Sequence, residues 1–194
     1  MSTEPRAAGP AVVRRGPSTG PTVVVLDPHG DARHAELPAT WRPLAEDVRV
    51  VWWRLPAATR QGSTIEALAE QLTAAQEPVH LVGAGDAALH AVLLAARCRA
   101  LVRSLVLVDP PWPAGSPLGD LGSVMVQHLV TGERGAPLGH PDVVAAVLEA
   151  LVSADLWPGN SAPTAPESAS LAGDAVRALW VRLGELWSAV RPGS

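Results

Sequence analysis

Between an apolar run and an Ala-rich stretch, the chain reads Gly83-Ala84-Gly85-Asp86-Ala87-Ala88. This matches G-x-G-x-x-A placed after a strand and before a helix, and Asp109 ends the next apolar run, where a dinucleotide fold puts its ribose-binding acid. Against a dinucleotide reading, the motif follows the third apolar run and not the first. Three side chains at the ends of apolar runs can move protons: His29, Asp86 and Asp109. Each also has a structural reading. Asp86 is a first-turn acid favoured by the helix dipole. His29 can bond the backbone of its own loop, and Asp109 can cap the turn it shares with Pro110. Gly30, Gly83, Ala84 and Gly85 are the backbone positions that would meet a ligand. His29, His34, His80 and His90 show no metal-binding spacing. His80, inside a strand, and His90, on a helix, read as satisfied structural histidines. Cys98 lies between Arg97 and Arg99, which would lower its pKa, but a small core residue is the plainer reading.

The elements that must position these residues follow from apolar patterning. Thr22 to Leu26, Val48 to Trp53, Val79 to Val82 and Ser104 to Val108 are near-continuous apolar runs closed by turn residues. Such runs are strands buried on both faces, as in parallel sheets. Between them lie helical stretches: Thr40 to Glu46, Ser63 to Ala75 and Asp86 to Cys98. Ser63 and Glu66 have capping-box spacing, and Ile65, Leu68, Ala69 and Leu72 share one face. Alternation of this kind specifies a parallel α/β sheet with right-handed crossovers. After Pro113 the strand signal stops. Val124 to Val130, Pro141 to Ala154 and Leu171 to Val190 read as helices. Pro141 suits a first-turn position. In the last of these helices Trp180 and Trp187 share a face, either as a core seam or as an apolar stripe for a partner. Residues 158–168 form a Pro-rich linker, and residues 1–20 a flexible arm.

The chain has 194 residues and a formal net charge of −4; its 15 basic residues are all Arg, and its aromatic residues are all Trp. One domain's worth of core is available without a disulfide or metal staple. A single Cys excludes an internal disulfide and a Cys-rich zinc site. The absence of Lys, Tyr and Phe reads as bias from a GC-rich genome, of actinobacterial type. Scattered Arg and mild acidity argue against a nucleic-acid partner. No apolar run is long enough for a signal peptide or a membrane span, so a cytoplasmic location is expected.

Four segments then recur in order: a strand ending in His29-Gly30 followed by Trp41-Arg42-Pro43-Leu44-Ala45; Val48 to Trp53 leading to Leu55-Pro56; Glu77 to Gly83 turning into an Ala-rich helix; and Val102 to Pro110. Together they resemble the N-terminal half of α/β-hydrolase fold proteins, over roughly residues 21 to 113. The resemblance implies a nucleophile elbow after Gly83, usually G-x-S-x-G. The nucleophile position here is Gly85, which has no side chain. It also implies that His29 lies where the family builds part of its oxyanion hole. The family's acid and histidine follow later strands, and His128 and His140 fall in segments with no strand pattern before them. The expected fold is therefore α/β: a truncated hydrolase-like core over residues 21–115 of about four strands, spatial order 2-1-3-4, and a helical C-terminal segment over 116–194. The expected function is a pseudoenzyme, a non-hydrolytic binding or accessory protein for a small apolar ligand or for a protein partner at the sheet edge left after the fourth strand. No cofactor is implied by that reading. A non-covalent enzyme of cyclase, lyase or isomerase type, using Asp86, His29 and Asp109, is the alternative, with dinucleotide binding as a third.

Overall fold

The computed structural model describes residues 7–114, 116, 118–119, 121–131 and 137–156. The four apolar runs form parallel strands: β2 (Thr22–Asp27), β3 (Arg49–Arg54), β4 (Val79–Ala84) and β5 (Val102–Val108). Their spatial order, β3-β2-β4-β5, is the expected one. Two further strands extend it. β1 (Val12–Arg15) pairs antiparallel with β3, and β6 (Met125–Leu129) pairs parallel with β5. The sheet thus has six strands, ordered β1-β3-β2-β4-β5-β6.

Both additions correct the sequence reading. The arm expected over residues 1–20 carries β1, because Val13 is buried beside Trp52 while Arg14 and Arg15 stay in solvent. A half-buried edge strand of four residues is too short to show periodicity. The helix expected over Val124 to Val130 is β6, so a strand does follow Asp109. Its composition suits a helix, and pairing with β5 overrides that propensity. β6 also occupies the edge after the fourth strand, which had been expected to stand open for a protein partner. The helix expected over Leu171 to Val190, the linker 158–168, Trp157, Trp180 and Trp187 lie outside the described residues.

Alternation along the strands divides the core into two layers. Val24, Leu26, Trp53, Leu81, Leu105 and Leu107 face α2 (Leu55–Arg60), α3 (Ile65–Ala75) and α4 (Ala87–Arg97). Val23, Val25, Trp52, Val82, Val106 and Val108 face α1 (Leu44–Asp47) and α5 (Pro141–Leu156). In that second layer Trp41 meets Trp52 edge-on, with ring centres 5.1 Å apart, and donates its indole N–H to the carbonyl of Leu138 at 2.7 Å. With no Phe or Tyr in the chain, these indoles supply the layer's large volume. The start of α3 lies one residue beyond the expected Ser63: Thr64 is the cap, and its hydroxyl accepts from the Ala67 N–H at 3.2 Å. α2 was not anticipated, since Leu55-Pro56 reads as the end of a strand. Pro56 instead sits in a first turn, where its missing N–H costs nothing.

Candidate functional site

β2, β4 and β5 are neighbours and parallel, so their carboxyl ends bring the loops bearing His29, Gly85-Asp86 and Asp109 to one edge of the sheet. Open α/β sheets bind ligands at such edges. The turn between β4 and α4 has the geometry of a nucleophile elbow. A Cβ on Gly83 would stand 2.6 Å from the Cβ of Ala91 and 3.1 Å from the Ala87 carbonyl, so only glycine lets strand and helix approach this closely. Gly85 has φ +49°, and a Cβ there would meet nothing within 4 Å. The Gly85 N–H donates to the Val108 carbonyl at 2.9 Å, and its carbonyl accepts from the Ala88 N–H at 3.0 Å. The left-handed position, open to the space above it, is thus held in place with no side chain on it. Asp86 precedes the first residue of α4, is exposed, and makes no capping hydrogen bond with its side chain. A Gly83→Ala substitution is expected to cost about 1–3 kcal/mol, because a packed helix must move off the sheet; urea unfolding measures this, and a loss within error would contradict the close approach.

The loop after β2 is organised by a residue that the sequence reading did not single out. Asp27 is fully buried. Its Oδ1 accepts from the His29 N–H at 2.8 Å and the Gly30 N–H at 2.9 Å, and its Oδ2 from the Trp52 indole at 2.9 Å. Burial pushes its pKa up to about 6 against the lowering effect of the Trp52 bond, with the nearby Asp31 adding to the rise. The backbone donors of His29 and Gly30 are therefore already spent on an internal carboxylate. Fully buried Arg54, from the next strand, locks the same loop by donating to the carbonyls of Gly30 and Asp31. The sequence signal was an Asp followed two and three residues later by free N–H groups, the Asx-turn pattern. The partnership with Trp52 and Arg54 is long-range and leaves no local trace.

Asp109 adopts φ +42°. Its Oδ1 accepts from the Thr131 N–H at 2.8 Å, and its Oδ2 pairs with the Thr131 hydroxyl. It caps a loop, as the structural reading expected, but the partner is the segment after β6 and not the Pro110 turn. A carboxylate so engaged is not presented to a ribose. No hydrogen bond connects Asp86, His29 and Asp109 among the described residues. The other histidines are dispersed. His128 lies within β6, with its Nδ1 buried and unpartnered, and His140 sits at the start of α5, 3.6 Å from the Asp142 carboxylate. His80 is buried with its Nδ1 2.9 Å from the Ser104 hydroxyl, tying β4 to β5. Burial, then the charge of Arg103, lowers its pKa to about 4. Near the amino end of β4, it is remote from Gly85 along the strand. Cys98 is a buried packing residue. No group of three or more metal-ligating side chains occurs among the described residues.

Among the clefts on the surface of the described residues are two of similar size. One, of about 660 Å³, is bordered by His29, Gly30, Arg33, Leu37, Pro38 and Pro137. The other, of about 610 Å³, runs between α3 and α4. Neither is lined by Gly85 or Asp86. No helix among the described residues is long and apolar enough to cross a membrane.

No protein-family model matches the chain, and no curated protein matches it. Solved structures with partial similarity include a thioesterase domain from the curacin biosynthetic pathway, 21% identical, covering 54% of this chain and 43% of that one, TM-score 0.35. A membrane phospholipase A, a bacterial virulence factor, is 22% identical over 90% of this chain and 58% of that one, TM-score 0.39. A hydrolase from Oleispira antarctica is 11% identical over 93% and 67%, TM-score 0.35. The chain thus spans less than two thirds of the length of the first two. The chain's own sheet speaks independently: five parallel strands, an antiparallel one at the edge, and a glycine-flanked strand-to-helix elbow on the third parallel strand in sequence. The fold is α/β, with a mostly parallel six-stranded sheet.

Proposed function

We propose that this chain is a non-hydrolytic member of the α/β-hydrolase fold group, acting as a binding or accessory protein for a small apolar ligand. One observation carries the reading: the elbow keeps its left-handed turn at Gly85, in open space, with no side chain on it to attack a carbonyl. Nucleophilic hydrolysis needs a nucleophile, an adjacent base and an orienting group. The spent donors around Asp27 support the same reading, because they leave the loop's His29 and Gly30 N–H groups unable to receive a developing oxyanion. A second reading, non-covalent acid/base catalysis, is favoured by the exposed Asp86 carboxylate beside the empty position.

Activated esters test the proposal. The wild-type chain is expected to hydrolyse p-nitrophenyl butyrate no faster than buffer. Gly85→Ser is expected to fold, to lose about 1 kcal/mol because a side chain enters a left-handed conformation, and to gain no esterase activity. Wild-type turnover abolished by a substitution at the elbow would overturn the binding-protein reading.

A further inference from the structure

The cleft between α3 and α4 lies on the face of the sheet that α2, α3 and α4 cover, it is not lined by Gly85 or Asp86, and its chemistry is two-sided. Its lining includes an apolar set: Trp53, Leu55, Ile65, Leu93 and Leu94. Leu93 is 55% exposed, and Leu89, one helical turn before it, is 52% exposed. Among the described residues only Val130 joins them as a large hydrophobic left in water. Two leucines exposed on one face of an otherwise well-packed helix mark a surface that gains by being covered.

The rim carries charge. Arg97 and His90 project from α4, and Glu66 faces them from α3. The Glu66 carboxylate is held below the usual carboxylate range first by its own backbone N–H, then by the Thr64 hydroxyl, with Arg97 and His90 contributing as nearby positive charge, so it stays ionised on the rim. Arg97 and Glu66 are thus within electrostatic range but do not form an ion pair. No hydrogen bond or ion pair engages the Arg97 guanidinium among the described residues. A planar, always-charged fork beside an apolar lining is suited to a carboxylate on an apolar body. The volume is that of a small-molecule site, roughly 300–1,000 Å³ being usual.

We propose that this cleft binds a small molecule with an apolar body and a single carboxylate, the body covering Leu93 and Ile65 and the carboxylate pairing with Arg97. The inference rests on the binding-protein reading and gives it a site and a ligand class. The site is separate from the elbow, so the two can fail separately.

Calorimetric titration of the full chain with naphthoate, and with uncharged naphthamide as its control, tests the proposal. Naphthoate is expected to bind saturably. Arg97→Gln is expected to weaken naphthoate by about ten-fold or more, the usual worth of a charge-assisted pair, and to leave naphthamide within about two-fold. Leu93→Asp is expected to abolish binding of both. Because both positions are exposed, each variant should keep the wild-type unfolding midpoint. Absence of saturable naphthoate binding, or naphthoate binding that ignores Arg97→Gln, would overturn the proposal. Ester turnover by the wild-type chain would remove the non-hydrolytic reading and leave a positive titration result standing.

Discussion

Arg54→Ala is expected to lower the unfolding free energy by about 3–5 kcal/mol, the cost of dismantling a buried, fully hydrogen-bonded charge. The side chain is entirely buried and reaches two separate stretches of backbone. Its Nη1 donates to the carbonyls of Ala8 and Pro10 at 2.8 and 2.7 Å. Its Nε donates to Asp31 at 2.6 Å, and its Nη2 to Gly30 at 2.9 Å. Alanine leaves these carbonyls without the Arg54 donors and removes the cation that interacts with buried Asp27 and half-buried Asp31. Arg54→Lys should recover little, since a single ammonium cannot span both stretches. Urea unfolding measures the loss. Trypsin gives a second readout, because β1 begins two residues after Pro10 and its Arg14–Arg15 bond should become cleavable when the strap before it lets go. A loss under about 1 kcal/mol with unchanged proteolysis would show that the network is ornamental.

The second large effect is hidden in the wild type by cancellation. Asp27 has its folded pKa raised from 3.8 to about 6. Its favourable contribution is complete below pH 3.8 and is lost as pH rises through about 6. His80 has its folded pKa lowered from 6.5 to about 4. Its contribution is complete above pH 6.5 and is lost as pH falls through about 4. At 1.36 kcal/mol per unit, each is on the order of 3 kcal/mol. Across the acid range they run in opposite directions, so in the wild type each offsets the other's effect on stability. Removing the polar pair with His80→Val and Ser104→Ala together leaves Asp27 unopposed. The double variant should then gain about 3 kcal/mol relative to wild type as pH falls from 7 to 4. Asp27→Asn should show the reverse, losing a similar amount over the same interval. Urea titrations at pH 4, 5, 6 and 7 read both slopes, and parallel curves for all three proteins would sink the account.

The four central strands were legible because burial on both faces leaves an uninterrupted apolar run that nothing else in the chain mimics. The elbow was legible because Gly83 and Gly85 answer local steric demands. Edge strands were not. β1 is half solvent-exposed, and β6, Met125-Val126-Gln127-His128-Leu129, is built from residues that serve a helix as well. Only the presence of β5 alongside decides the matter. Asp27 and Arg54 were missed for a related reason. Each looks like the polar residue that ends a strand, and their meaning lies in contacts spanning more than twenty residues. His80 was read correctly as a satisfied histidine. Its partner Ser104, in another strand, was beyond local patterning. The candidate site divides the same way: its backbone turn was readable, whereas the internal carboxylate that fills the neighbouring donors was not.

The order of the strands sets a timetable for synthesis. β2 is the first of the wholly buried strands to be made, and both of its neighbours, β3 and β4, come later in the chain. Its Val-Val-Val-Leu segment must wait, apolar and unpaired, until residue 54 gives it one partner and residue 84 the other. Parallel pairing through crossovers is slow because chain entropy is spent before contacts form, and an exposed strand of this kind is an aggregation hazard while it waits. Expression should therefore be limited by events at the ribosome more than by the stability of the finished sheet, and slower translation at low temperature should raise the soluble yield more than any stabilising substitution on the surface.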